Sequence, residues 1–205
     1  MSLYIFNTVS RSIYNNSSRK NNFKYQKKIP YTWYLTDPIK TKYPYLTINS
    51  LTNNTGIIIR PYNLQNKNNY IKKIIKSAKK KSLIKLIAGI HNQSADSDGA
   101  HIPKWQYKKP KNMKIISTSV HGLKDIRKCL NLKANIAFIS PIFKTSSHKN
   151  KKYIGVVRLG LMSRNIKIPV IALGGINDEN IKKLRSLPIQ GCAGIDIFEK
   201  KSKIQ

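Results

Sequence analysis

Eight short apolar runs, spread over residues 32–198, constrain the fold of this chain more than any other feature. They are TWYLTD (32–37), GIIIRPY (56–62), SLIKLIAG (82–89), DGAHI (98–102), KIISTSVH (114–121), IAFISPIF (136–143), IPVIALGGI (168–176) and GCAGIDIF (191–198). Runs that are rich in β-branched residues and apolar on both faces are typical of parallel strands covered on both sides. Segments with helical spacing separate several of them, at 66–81, 122–133, 153–165 and 177–187. This alternation predicts repeated β/α units.

Eight such units in a chain of 205 residues favour one α/β domain, a (β/α)8 or TIM barrel, over an open doubly wound sheet. We place this domain at residues 29–205. The segments 38–55 and 103–113 are too short or too interrupted by proline for full helices, so we expect shortened helices there.

Residues 1–28 contain no acidic residue and are dominated by Ser, Asn, Lys and Arg. This composition is shared by organelle-targeting segments and by frayed basic tails, and we favour a flexible basic extension. No apolar run reaches the roughly 20 residues that a membrane-spanning helix requires. We therefore expect a cytoplasmic protein without a membrane partner, and a targeting role for residues 1–28 is the alternative.

The charge is strongly basic, with 39 Lys and Arg against 8 Asp and Glu and a formal net charge of +31. Only 7 of the basic residues are Arg, the residue that recognises phosphate and guanine through two hydrogen bonds. Lys, Ile and Asn share A/T-rich codons, so a biased genome accounts for their abundance. We therefore expect no specific nucleic-acid partner.

In a (β/α)8 barrel the active site lies at the C-terminal ends of the strands. Residues at the ends of the runs that could carry chemistry are Arg60, Ser119, His121, the loop residues Thr145, Ser146, Ser147 and His148, the glycine pair Gly174 and Gly175, and Phe198 and Glu199. Hydroxyls, backbone amides and cations of this kind bind phosphate, and two adjacent glycines let a backbone approach it closely. His121, at the end of its run, can transfer protons near neutral pH, although a histidine held only by local hydrogen bonds is an equally good interpretation.

The segments SVH (119–121), SPIFKTSSH (140–148) and ALGGI (172–176), in this order and spacing, resemble the thiamine-phosphate synthase and thiazole tautomerase family. The resemblance extends over residues 32–199 and implies a (β/α)8 barrel acting on small phosphorylated molecules. Synthase members join hydroxymethylpyrimidine pyrophosphate to a thiazole phosphate and release pyrophosphate. Tautomerase members aromatise a thiazole carboxylate phosphate with the help of a histidine.

The resemblance also implies roles for individual residues. It assigns Arg60 to the pyrophosphate, Ser119 to the pyrimidine, Thr145–Ser147 and Gly175 to the thiazole phosphate, Phe198 and Glu199 to backbone contacts with that phosphate, and His121 to the position of the tautomerase histidine.

The sequence departs from the synthase pattern at five residues, in four places. Tyr62 and His148 each stand where synthases have a lysine, and Gly89 and Ile90 replace an Asn-Asp pair. Gln106 lies near the position of the second metal-binding aspartate of the synthases. We therefore expect no metal held by the protein itself, and Mg²⁺ held mainly by the substrate's pyrophosphate.

These observations predict a transferase of thiamine biosynthesis similar to thiamine-phosphate synthase. A metal-free thiazole tautomerase using His121 and a non-catalytic member that binds a phosphorylated ligand are the alternatives. A homo-oligomer is compatible with the sequence and is left open.

Overall fold

The computed structural model describes residues 3–20, 29–41, 43–89, 96–145 and 152–199. Of the predicted site residues, Ser146, Ser147 and His148 lie outside these ranges. None of the helices in the described part of the chain is long and apolar enough to cross a membrane.

Eight parallel strands form a closed barrel in the order β1 to β8, which confirms the predicted fold. The strands are β1 (Thr32–Leu35), β2 (Thr55–Ile59), β3 (Lys85–Ala88), β4 (Gly99–Ile102), β5 (Ile115–Val120), β6 (Ile136–Ile139), β7 (Val170–Leu173) and β8 (Gly191–Gly194). Each strand coincides with one of the eight apolar runs, and β8 closes the barrel by pairing with β1. The site-bearing ends of all eight strands therefore lie at one end of the barrel.

The helices are α1 (Leu3–Lys20), α2 (Pro44–Asn49), α3 (Lys67–Lys80), α4 (Lys124–Asn131), α5 (Val156–Asn165) and α6 (Asp196–Glu199). Helix α2 has only six residues, and the described segment 103–114 between β4 and β5 contains no helix. Both observations confirm the expectation of shortened helices.

Alternate residues of the strands supply two separate apolar layers. Trp33, Leu35 and Phe138 belong to a cluster inside the barrel, where the rings of Trp33 and Phe138 pack edge to face at 5.3 Å. Tyr34, between Trp33 and Leu35, belongs to the outer cluster beneath the helices. This alternation is what the period of two in a β-strand requires.

Helix α1 differs from the flexible extension expected over residues 1–28. Its residues Leu3, Phe6, Val9 and Ile13 are buried in the outer cluster. They recur every three or four residues and therefore lie on one face of the helix. Phe6 packs edge to face on Phe198 at a centroid distance of 5.6 Å. The expectation is thus wrong for residues 3–20, because this apolar face binds the helix to the barrel.

The segment between β7 and β8 has helical spacing but forms only a short 3-10 helix over Ile181–Leu184. The side chains of two asparagines form hydrogen bonds with the backbone amides that precede this helix. Asn177 Oδ1 accepts hydrogen bonds from the amides of Glu179 and Asn180, and Asn180 Oδ1 accepts one from the Asn177 amide. Such side-chain bonds compete with a regular helix.

Candidate active site

Arg60, Ser119, His121, Thr145 and Gly175 all lie at or just beyond the C-terminal ends of strands β2, β5, β6 and β7. The closed parallel sheet therefore places them at the same end of the barrel, as predicted.

Arg60 is the arginine at this end of β2, and its guanidinium is already partly engaged. Its Nε donates to the Thr36 carbonyl oxygen at 2.8 Å, and Nη2 forms an ion pair with Asp37 Oδ2 at 3.1 Å. The side chains of Arg60 and Asp37 are 20 and 22 % exposed. Nη1 has no partner within the described ranges, so it is the group available to an anion.

Ser119, at the half-buried end of β5, is held from within the barrel by His101. The two ring nitrogens of His101 lie 2.8 Å from Ser117 Oγ and 2.9 Å from Ser119 Oγ. His101 pairs with Ser117 in the β4–β5 register, so its ring reaches both serines on that face of β5. Burial, with the charges of Arg60 and Lys128 adding to it, lowers the pKa of His101 to about 3.

The motifs in the sequence assigned no role to His101. The signal that would have found it is the alternation Ser117, Ser119 on β5, which presents two hydroxyls to the neighbouring strand.

His121 follows β5 and is oriented by two contacts. Its backbone amide donates to Asp125 Oδ2 at 2.7 Å, and Nδ1 lies 2.7 Å from the Ser140 carbonyl oxygen. Because a carbonyl only accepts, Nδ1 carries the proton, and the lone pair of the neutral ring is on Nε2. Burial lowers the pKa of His121, while the bond to Ser140 and the charge of Asp125 act against this shift.

The glycine pair after β7 packs against the loop after β6. Gly174 and Gly175 have φ angles of +97° and +69°. A methyl group at Gly174 would lie 2.9 Å from Pro141 Cα, and one at Gly175 would lie 2.7 Å from Phe143 O and closer still to Lys144 O. The space that the glycines leave is thus filled by protein backbone, and the pair fixes the loop that carries Thr145.

Thr145 is the described member of the predicted phosphate loop. Its Oγ1 is buried and has no hydrogen-bond partner in the part of the chain described. Its Cγ2 lies 3.5 Å from the position of a Gly174 methyl group. The hydroxyl and the glycine pair therefore meet at one place.

Phe198 and Glu199 lie in α6, and their described contacts are to the protein. The Phe198 amide donates to the Ile195 carbonyl oxygen at 3.0 Å. The Glu199 carboxylate accepts hydrogen bonds from the Tyr34 hydroxyl and, at 3.2 Å, from Thr47 Oγ1. These contacts place both side chains among the helices outside the barrel, away from Ser119 and His101.

The donor set does not fit a divalent cation held by protein carboxylates. Within the described ranges, no three His, Cys, Asp or Glu residues cluster as metal ligands would. Asp37 pairs with Arg60 through Oδ2, and its Oδ1 accepts from the amides of Ile39 and Lys40. Asp96 and Asp98 pair with Lys79 and Lys85. The expectation that Mg²⁺ binds mainly through the substrate's phosphates stays a prediction.

Sequence similarity to known proteins points to one family. The family model for thiamine monophosphate synthase matches residues 62–198. A putative thiamine-phosphate synthase 2 from Aquifex aeolicus is 36 % identical over 110 residues, which cover 51 % of this chain and 59 % of that protein. The thiamine-phosphate synthase of Prochlorococcus marinus is 31 % identical over 109 residues, covering 50 % of this chain and 32 % of that protein. The chain thus spans less than two thirds of the length of these relatives.

Among solved structures, the thiamine phosphate pyrophosphorylase from Pyrococcus furiosus matches with a TM-score of 0.70 and 20 % sequence identity. The match covers 85 % of this chain and 92 % of that chain. At this identity the likeness establishes the barrel fold.

Proposed function

The chain belongs to the thiamine monophosphate synthase family, and we propose that it joins hydroxymethylpyrimidine pyrophosphate to a thiazole phosphate. In this reaction the bond between the pyrimidine's methylene carbon and the pyrophosphate oxygen breaks, and its electron pair leaves with pyrophosphate. The thiazole nitrogen forms the new bond to the methylene carbon. The products are thiamine phosphate and pyrophosphate.

The observation that carries this proposal is the position of Arg60 at the mouth, with Nη1 available. Pyrophosphate gains negative charge as it leaves, and a cation fixed before the reaction stabilises that charge. The bonds from Nε to Thr36 and from Nη2 to Asp37 hold the guanidinium in place. Orientation of this kind lowers the reorganisation needed in the transition state.

Ser119 and Thr145 supply neutral contacts to the two substrates. Ser119 is proposed to bind the pyrimidine, with its hydroxyl oriented by the neutral ring of His101. Thr145 is proposed to bind the thiazole phosphate, since its buried hydroxyl lacks a partner in the described structure. Ser146, Ser147, His148 and the backbone near Gly175, Phe198 and Glu199 remain proposed contacts to the same phosphate. Mg²⁺ is assigned to the pyrophosphate of the substrate, and no protein-held metal is proposed.

Thiazole aromatisation is the second candidate, and the geometry of His121 favours it. The ring is oriented through Nδ1, its Nε2 carries the lone pair, and its lowered pKa keeps it neutral near pH 7. A neutral, oriented imidazole can take a proton from one atom of a substrate and return it to another. This reaction uses neither Arg60 nor pyrophosphate.

The test is product formation by the purified full chain. Incubation with hydroxymethylpyrimidine pyrophosphate and thiazole phosphate, in the presence of Mg²⁺, is expected to yield thiamine phosphate and pyrophosphate in equal amounts. Neither product is expected when either substrate is omitted. Binding of thiazole phosphate without any product from these substrates or from the thiazole carboxylate would instead indicate a non-catalytic binding protein.

A further inference from the structure

Two aromatic side chains meet over Gly89 at the mouth of the barrel. Tyr62 follows β2, Gly89 follows β3 and Trp105 follows β4, so three consecutive strands contribute to one surface. A methyl group at Gly89 would lie 3.1 Å from Tyr62 Cε1 and 3.2 Å from Trp105 Cη2. The two ring centroids are 6.5 Å apart, with the rings edge to face. We call Tyr62, Gly89 and Trp105 the aromatic wall.

One ring of the aromatic wall is fixed in the core and the other is accessible. Tyr62 is half-buried and packs against the apolar cluster inside the barrel, whereas Trp105 is 60 % exposed. The loop that carries Trp105 is held by Lys128, whose Nζ donates to the carbonyl oxygens of Pro103 at 2.7 Å and Lys104 at 3.1 Å. An anchored loop therefore presents much of the Trp105 side chain to solvent.

The aromatic wall is neutral but stands beside a cation. It contains no carboxylate, and burial raises the pKa of Tyr62, so its phenol stays protonated. Arg60 precedes Tyr62 by two residues at the same end of β2, and its positive charge partly offsets the raised pKa of Tyr62. A neutral aromatic surface next to a guanidinium suits a planar ring that carries an anionic group, because the ring can stack while the anion meets the cation.

We propose that the aromatic wall binds the pyrimidine ring of the substrate by stacking on Trp105, while Arg60 binds the attached pyrophosphate. This inference rests on the proposed function, which supplies a pyrimidine as the ring. It makes Trp105 a residue that determines specificity for the pyrimidine.

Trp105 itself reports on the interaction. The chain has two tryptophans, and Trp33 is fully buried inside the barrel. Quenching of tryptophan fluorescence by acrylamide therefore arises mainly from Trp105. Hydroxymethylpyrimidine without phosphate is expected to protect the wild-type protein from quenching. By calorimetry, Trp105→Ala is expected to weaken binding of this pyrimidine about tenfold, and Trp105→Phe to restore it to within about threefold.

Tyr107→Ala is the matched control. Tyr107 lies on the same loop and is 76 % exposed, but its ring packs against Lys128. The control should keep wild-type affinity for the pyrimidine, and neither variant should change affinity for inorganic pyrophosphate. Unchanged quenching with the pyrimidine at saturation, or equal losses in Trp105→Ala and Tyr107→Ala, would overturn the inference.

The outcome is separable from that of the proposed function. If the pyrimidine protects Trp105 but no thiamine phosphate forms, the aromatic wall is a ring-binding site and the proposed reaction is wrong. If thiamine phosphate forms and Trp105→Ala has the wild-type KM for the pyrimidine substrate, the reaction stands and the inference about Trp105 is wrong.

Discussion

The charge of Arg60 is shared between the protein and any anion that enters the barrel mouth. Asp37 Oδ2 occupies Nη2 at 3.1 Å, and both side chains are mostly buried, so solvent screens this pair less than a surface ion pair. The carboxylate therefore competes with an anionic ligand for the guanidinium. It also holds the side chain in one orientation.

Asp37→Asn tests which of these two effects dominates. Asparagine keeps the oxygen that accepts from the Ile39 and Lys40 amides but removes the charge. We expect pyrophosphate to bind about fivefold more tightly, because one charge-assisted contact becomes available to the ligand. Isothermal titration calorimetry measures this, with Arg60→Gln as the variant that should lose binding. Weaker binding in Asp37→Asn would mean that orientation matters more than competition.

Titration of His101 makes the free energy of unfolding depend on pH. Its pKa is about 3 in the fold and 6.5 in its ordinary state, so between these values the unfolded chain binds the additional proton. The free energy of unfolding therefore falls as the pH decreases below about 6.5, by up to roughly 1.4 kcal/mol per pH unit from this group alone.

His101→Gln removes this dependence while keeping a donor and an acceptor for Ser117 and Ser119. Urea unfolding at pH 7 and pH 5 should show a larger loss of stability in the wild type than in the variant. All other ionisable groups are the same in both proteins, so the difference reports on His101. Equal losses would contradict a buried neutral ring.

Helix α1 is attached to the barrel through one apolar face. Phe6 is fully buried and packs on Phe198, whereas Tyr4 on the same helix is 75 % exposed. Phe6→Ala is expected to lower the free energy of unfolding by about 3 kcal/mol, since it leaves a cavity between α1 and α6. Tyr4→Ala should change it by less than about 0.5 kcal/mol. Equal, small effects in urea unfolding would support the flexible extension expected from composition.

The contact between the loops after β6 and β7 depends on Gly175. Alanine there must adopt a φ of +69° and would overlap the carbonyl oxygens of Phe143 and Lys144. We expect Gly175→Ala to cost about 2 kcal/mol or more of stability and to weaken binding of thiazole phosphate. Gly122→Ala is the control, because a methyl group at Gly122 meets nothing within 4 Å. Thermal unfolding and calorimetry with thiazole phosphate check both effects.

The strands were predictable because each is a short apolar run, and their ends gave the positions of Arg60, Ser119 and His121. The pairings Arg60–Asp37 and His101–Ser119 were not, since each joins two strands whose register no local pattern specifies. Helix α1 was missed for a different reason. Its buried residues are separated by Ser, Asn and Arg, and this composition obscured a stripe that Leu3, Phe6, Val9 and Ile13 already form.

The barrel as a whole brings together two sets of groups suited to different reactions. Arg60 and the aromatic wall follow β2, β3 and β4, and in the proposed function they bind a pyrimidine with its leaving pyrophosphate. His121, Thr145 and the glycine pair follow β5, β6 and β7, and in the proposed function they bind a thiazole phosphate. A synthase needs both sets at once, whereas a thiazole tautomerase needs only the second.

A comparison of Arg60→Gln and His121→Gln in the full chain therefore tests the synthase proposal most directly. Arg60→Gln removes the positive charge and His121→Gln removes the imidazole, and neither substitution adds bulk. Both variants are assayed for thiamine phosphate and for aromatisation of the thiazole carboxylate phosphate. We predict that the wild type makes thiamine phosphate and that Arg60→Gln reduces its rate more than His121→Gln does, by roughly 10²-fold or more. A wild type that makes no thiamine phosphate, but aromatises the thiazole at a rate lost only in His121→Gln, would contradict the synthase and establish the tautomerase.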